Sequence, residues 1–318
     1  MPYPRVQNRY FYQKIGLKIL ITGATGLVGR ALVARCRKEG IDVNYLSTRE
    51  GKLKSEDGYR GFLWNPAAGT IDPECFRGVH MIVNLAGSPI TKPWTPAGKR
   101  DILQSRTESL RCLRRGLEAL DGHQVAYLVS ASAIGIYPSS FSEYYTEDQT
   151  GIEAGFLQET VRKWEEAVHA FDPLGISQGI LRIGLVLARE GGALQALTRP
   201  IRWGVGAAIG SGRQWQSWIH LDDLVSMFRF ALENRLEGTY NAVAPNPVTN
   251  RKLTAEAASV LNRPLWMPPI PSWALKLLLG ERSHLLLDSQ RVSCEKVQME
   301  GFAFEFPNLR PALEDLLR

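Results

Sequence analysis

The chain lacks the features that would assign it quickly. Its four cysteines, Cys36, Cys75, Cys112 and Cys294, lie far apart with no C-x-x-C pair. That spacing excludes a zinc ribbon or a disulfide scaffold and reads as free thiols in a reducing compartment. The five histidines, at positions 80, 123, 169, 220 and 284, are equally scattered, so no metal site is expected. No apolar run approaches the roughly 18 residues of a membrane span. The first sixteen residues, MPYPRVQNRYFYQKIG, mix charges with aromatics and contain no apolar h-region. They read as an N-terminal arm, or as a start placed too early, rather than a signal peptide. Neither sign of charge dominates: 38 Lys and Arg against 32 Asp and Glu leave +6. That balance favours anionic ligands but is too diffuse to indicate nucleic acid. The expected location is the cytoplasm, or an organelle's stroma or matrix in a eukaryote. The expected partner is a small-molecule substrate, with a homodimer left open.

What is present is the pattern of an α/β protein. The 318 residues, 44% of them hydrophobic, allow about two domains, or one large one with an appendage. LKILITG (17–23), IDVNYLS (41–47), VHMIVNLAG (79–87), QVAYLVSAS (124–132) and ISQGILRIGLVL (176–187) are near-continuous apolar runs. Between them lie amphipathic stretches at 27–40, from Pro96 to about Leu120, and at 156–171. Buried strands alternating with helices predict a parallel sheet covered on both faces. Beyond residue 188 the chain turns rich in Gly, Trp and Pro, as in RWGVGAAIGSGRQWQSWIH (202–220) and RPLWMPPIPSW (263–273). This is the texture of a smaller, less regular lobe.

GATGLVG, residues 23–29, follows the first strand and opens the first helix. Gly23 suits the tight turn, Gly26 the close approach of backbone to a pyrophosphate, and Gly29 helix–strand packing. The amides around Thr25, Leu27 and Val28 would then meet phosphate oxygens at the positive end of the helix. At the end of the second strand, where an NAD site carries Asp or Glu, the chain reads LSTRE. Ser47 and Arg49 suit a 2′-phosphate instead, so NADP(H) is expected over NAD. Glu50 follows directly and Arg30 is a second candidate phosphate partner.

With these residues the chain resembles the extended short-chain dehydrogenase/reductases, and within them the atypical "epimerase family" proteins. The resemblance rests on ITGATGLVGRAL (21–32), VNLAGSPI (83–90), SRTESL (105–110), SASAIGIY (130–137), KWEEA (163–167), GSGRQWQSWIHLDDL (210–224) and GFAFEFPNLRPAL (301–313). It implies a Rossmann-type doubly wound sheet over 17–187 plus 216–246. A smaller C-terminal substrate lobe would take 188–215 plus 247–318, with 1–16 left as the arm. It also implies that Leu85, Ala86 and Gly87 pass the cofactor's ribose and phosphates. Ser130, Ala131, Arg182 and Gly184 would run along its nicotinamide side. Some members of this family carry labels linked to cell or plastid division, which fits a regulatory protein as the alternative to an enzyme.

Active members use a Ser or Thr at the end of the fifth strand and a Tyr-x-x-x-Lys on the next helix, because a tyrosine near pKa 10 needs a neighbouring cation to work at neutrality. Ser132 stands at the serine position. Aligning KWEEA with the family's glutamate puts Leu157 at the tyrosine and Val161 at the lysine. Leu157, Val161, Trp164, Val168 and Phe171 then form an apolar seam at helical spacing. The dyad is missing. Tyr137 follows Ser132 by five residues, and Tyr144 and Tyr145 lie in the next loop. Arg106 occupies the place of the family's Asn on the helix beneath the nicotinamide, where it could hold a substrate carboxylate or phosphate. In the lobe, Arg213 and Gln214 are expected to face the cleft and Trp218 to be core. His220 precedes LDDL, whose Asp222 reads as a helix N-cap.

Overall fold

The computed structural model describes residues 16–149 and 155–318, so the arm expected at 1–16 lies outside it apart from Gly16. Strand β1 (Lys18–Thr22) is followed by helix α1 (Leu27–Lys38) and β2 (Asp42–Ser47). Next come β3 (Ser55–Glu56), β4 (Tyr59–Asn65), β5 (Thr70–Ile71) and β6 (Met81–Asn84). Helix α2 (Pro96–Glu118), strand β7 (Tyr127–Ala133), helix α3 (Phe156–His169) and strand β8 (Ser177–Ile183) continue the alternation. Then follow β9 (Leu185–Leu187), α4 (Gly192–Arg202), β10 (Trp215–Gln216), β11 (Trp218–His220), α5 (Leu221–Asn234) and β12 (Gly238–Ala242). The chain closes with β13 (Val248–Thr249), α6 (Asn250–Val260), α7 (Ser272–Leu279), α8 (His284–Leu287), α9 (Glu295–Met299) and α10 (Leu309–Leu317).

The main sheet runs β12-β8-β7-β6-β1-β2-β4-β3, with β5 on the edge of β4. From β12 to β4 every pairing is parallel. Helices α1 and α5 pack together, as do α2 and α3, giving the covered two-faced sheet that continuous apolar strands require. The order reverses between β1 and β6, and open α/β sheets bind ligands beyond the carboxyl ends of strands at such a switch point. A second apolar cluster, from Leu187 and Leu194 through Trp218 and Leu253 to Leu313, supports the C-terminal lobe.

Three expectations change. The run 176–187 is not one strand: after Ile183 the chain leaves the main sheet, and Leu185 N donates to Ser217 O at 2.8 Å, so that β9 pairs with β11. The strand β4 was hidden because YRGFLWN alternates polar and apolar residues, as an edge-side strand buried on one face does. Asp222 is not the cap of α5. His220 is, its Nδ1 accepting from Asp222 N at 3.1 Å while its ring stacks on Phe306.

Candidate cofactor-binding and active site

The glycine loop is shaped by close backbone approach. Gly23 has φ +67°, and a Cβ there would lie 2.5 Å from the Leu85 carbonyl oxygen; one on Gly29 would lie 2.2 Å from the Gly23 oxygen. Helix α1 starts with Gly26 as an N-cap that offers no side-chain acceptor, and its first turn holds no acidic residue. The first amides of α1, at Leu27, Val28 and Gly29, therefore face outward with a positive dipole end behind them. Thr25 and Gly26 are exposed beside them. This is a cradle for a pyrophosphate.

A polar row braces the cradle. Thr22, Asn84 and Ser130 are cross-strand neighbours in β1, β6 and β7. Thr22 Oγ1 donates to Asn84 Oδ1 at 2.8 Å, and Asn84 Nδ2 donates to Ser130 Oγ at 3.0 Å. Thr22 Oγ1 also accepts from the amides of Leu85 and Ala86 at 3.0 and 3.1 Å. The Leu85–Gly87 turn is thus pinned next to Gly23. All three polar side chains are fully buried.

At the far end of β2, Ser47 is buried and its hydroxyl bonds the backbone of Arg49 at 3.1 Å. The Arg49 side chain is exposed and has no ion pair or hydrogen bond among the described residues. Arg30 is exposed beside the glycine loop, its Nη1 donating to Thr25 O at 3.3 Å. Glu50 opens a short 3-10 turn and makes no ion pair with Arg49.

A second polar row lies two residues further along β7 and on the same face, since side chains alternate along a strand. Ser132, Arg182 and Asn241 are cross-strand neighbours in β7, β8 and β12. Arg182 forms a two-pronged ion pair with Glu165 of α3, both contacts at 2.9 Å, and Ser132 Oγ donates to the same carboxylate at 2.6 Å. Arg182 Nη1 donates to the Tyr137 hydroxyl at 2.9 Å, and that hydroxyl donates to Asn241 Oδ1 at 2.8 Å. Glu147 joins by accepting from Asn241 N at 2.8 Å. Ser132 is 3% exposed, Arg182 4% and Tyr137 0%. Burial opposes the charge of Arg182, yet the Glu165 carboxylate raises its pKa above the ordinary guanidinium value. Burial also pushes the Tyr137 phenol up, away from neutrality. Ser132, Tyr137 and Arg182 are brought together, but as members of a closed network.

Arg106 stands apart. It is half-buried on α2, with Nη1 donating to the carbonyls of Ser88 at 3.1 Å and Ile102 at 2.8 Å, and its guanidinium 5.0 Å from the Trp164 ring. A Cβ on Gly87 would meet it at 3.3 Å, so it abuts the pinned turn. Burial lowers its pKa to about 10, leaving it charged at neutral pH, and it makes no ion pair among the described residues. Val161 is buried and Leu157 half-buried. Neither carries a proton. In the lobe, Arg213 is exposed, 5.9 Å over the Phe141 ring, while Gln214 is 2% exposed and lines a cavity of about 230 Å³. Trp218 is core and Trp203 is solvent-exposed.

Glu165 lies in KWEEA, which serves the sequence reading only as an alignment anchor, and Glu147 and Asn241 have no part in that reading. Asn241 carried the available signal, a polar residue inside the buried run YNAVA. Nothing local announces that Glu165 meets Arg182 across 17 residues of chain.

The family model described as "NAD dependent epimerase/dehydratase family" matches residues 19–243, and a domain of unknown function, DUF1731, matches 270–316. An "Epimerase family protein" of Staphylococcus aureus (strain NCTC 8325 / PS 47) is 34% identical over 302 residues, 94% of this chain and 98% of its own. Among solved structures, human epimerase family protein SDR39U1 (isoform 2) with NADPH aligns at TM-score 0.81 and 30% identity, covering 94% of this chain and 99% of that one. A nucleoside-diphosphate sugar epimerase from Corynebacterium glutamicum aligns at TM-score 0.76 and 27% identity, over 98% of this chain and 61% of that one. Among the described residues no helix is long and apolar enough to cross a membrane.

Proposed function

The chain belongs to the NAD dependent epimerase/dehydratase family, and on that premise we propose that it is an NADP(H)-dependent oxidoreductase or epimerase-like enzyme acting on a small anionic or sugar-like molecule. The observation that carries the cofactor reading is the end of β2, where Ser47 bonds the Arg49 backbone and the exposed Arg49 side chain has no acidic partner among the described residues. A ribose 2′-OH needs an acceptor such as Asp there, whereas a 2′-phosphate needs cations, and Arg can bond it bidentately. The human relative whose structure holds NADPH supports the same choice.

When bound, the nicotinamide would supply hydride chemistry. The chain's own residues would bind and orient. The α1 amides and Gly23–Gly29 would hold the pyrophosphate, and the turn Leu85–Gly87 would pass the ribose. Ser130, Ala131 and Gly184 would lie along the nicotinamide side. Arg106 would hold a substrate carboxylate or phosphate, its attraction for the anion less screened by water in a half-buried place. The cofactor part would be 17–187 plus 216–246, and the lobe of 188–215 plus 247–318 would take the substrate, with Arg213 and Gln214 toward it. The proton would be handled by a group other than Ser132 and Tyr137, whose hydroxyls are engaged at 2.6 and 2.8 Å.

That engagement also favours a second reading, an NADP(H)-binding sensor or regulatory protein acting through partners. Titration of the protein with NADPH and NADH, repeated on Arg49→Ala, tests the cofactor assignment. NADPH should bind more tightly, and the variant should lose roughly tenfold or more for NADPH alone, the value of a charge-assisted hydrogen bond. Equal wild-type affinities would sink the NADP assignment. A metabolite panel scored both for NADPH consumption and for epimerised product with NADP+ decides between the readings: tight binding without turnover of any compound leaves the second.

A further inference from the structure

The cavity beside Gln214 carries a ligand chemistry of its own. It is lined by Ser211 and Gln214, by Ser272 and Lys276 of α7, by Ser283, and by His284 and Asp288 around α8, with Phe141 as an open wall. Ser283 is 3% exposed, yet its hydroxyl has no partner among the described residues and is not sealed from the cavity. Gln214 spends both amide hydrogens on the carbonyls of Ile209 and Leu286, at 2.9 and 3.2 Å. Its Oε1 is left as a pure acceptor. Asp288 adds acceptor oxygens, one of them 2.9 Å from His284 Nδ1. Lys276 is exposed at the rim and has no acidic partner.

The walls are fixed rather than loose. Ser289 N donates to Ser139 Oγ at 3.0 Å, Ser289 Oγ to Ser140 O at 2.7 Å, and Trp215 Nε1 to Phe141 O at 3.2 Å. The loop bearing Phe141 is therefore tied to the segment that follows α8.

Acceptors on the protein require donors on the ligand, and three serine hydroxyls match a ligand with several hydroxyls. One lysine beside one carboxylate suits a single anionic group, and a cavity of about 230 Å³ has room for a monosaccharide bearing it but not for a nucleoside diphosphate as well. We infer that this cavity binds a sugar carrying one anionic group, a phosphate or a carboxylate, and not a nucleoside-diphosphate sugar. This rests on the enzyme reading above only in calling the ligand a substrate.

Calorimetric titration of the full chain with saturating NADPH tests it, using glucose 6-phosphate, glucuronate, glucose and UDP-glucose as probes. Glucose 6-phosphate or glucuronate should bind best, and which one prevails identifies the anion. Lys276→Met should weaken that compound at least tenfold and glucose little. Ser283→Val should weaken every sugar that binds. NADPH affinity should stay unchanged in both variants. No binding by either anionic monosaccharide, tighter binding of UDP-glucose, or insensitivity to Lys276→Met overturns the inference. If Ser283→Val loses NADPH affinity through misfolding, the surface variant Lys276→Met carries the decision. Sensitive binding with neither NADPH oxidation nor an epimerised product in the presence of NADP+ would leave the cavity standing and defeat the enzyme reading. Turnover of a sugar unaffected by either variant would do the reverse.

Discussion

Two polar rows lie on one face of the same sheet, two residues apart on β7, and they are put to opposite uses. Thr22, Asn84 and Ser130 spend their hydrogen bonds on holding a backbone turn beside an open glycine loop. Ser132, Arg182 and Asn241 spend theirs on Tyr137, on two buried glutamates and on the Ser293 carbonyl. The first row leaves α1 uncapped and Arg49 free for an anion. The second has its serine hydroxyl and its guanidinium bound to partners inside the protein. Position at the carboxyl end of a strand is therefore insufficient for chemistry. What decides is whether the side chain's partners are already inside the protein.

The comparison breaks most sharply at Arg182. Removing it strands Glu165 in a buried site, which costs about 3–5 kcal/mol when one partner of a buried pair is lost. Arg182→Met should show that loss in urea unfolding, and Arg182→Met with Glu165→Leu should recover the larger part of it. A single-variant loss under about 1 kcal/mol would mean that the pair is not structural.

Much of the first row was legible in the sequence and little of the second. GATGLVG after an apolar strand has one geometric meaning, because its glycines are required by contacts made within a few residues of each other. The reading of LSTRE was local too, since strand β2 ends where its apolar run ends. The second row depends on register between β7, β8 and β12 and on a helix laid over them. Such register is set by tertiary packing, so Ser132 and Tyr137 could be placed near the cofactor by resemblance, while their partners could not be read. The absence of Tyr and Lys at 157 and 161 was visible, and the apolar seam through Val161 explains it: that face is spent on packing.

The cradle can be broken in its turn at Gly29. Gly29→Ala would drive a methyl to 2.2 Å from the Gly23 oxygen, so helix and loop must separate. Overpacking of this kind costs about 1–3 kcal/mol, and NADPH affinity should fall by roughly tenfold or more as the amides lose their aim. Unaltered NADPH affinity in a folded Gly29→Ala protein would show that the pyrophosphate binds elsewhere.

The smallest expected effect tests the contrast most closely, because Ser132 is the residue on which position and partnership disagree. In Ser132→Ala, Glu165 loses one hydrogen bond but keeps both contacts to Arg182. The cost should be about 1.5 kcal/mol, the low end for a bond to a charged group, because Arg182 still neutralises the carboxylate. NADPH affinity should change by less than about twofold, since the cradle and its row are untouched. Should a substrate be found, turnover by Ser132→Ala should also stay within the same factor of wild type. A fall of roughly 100-fold or more, the size expected for loss of a general acid–base group, would mean that Ser132 leaves Glu165 when substrate binds, and that the second row is a site after all.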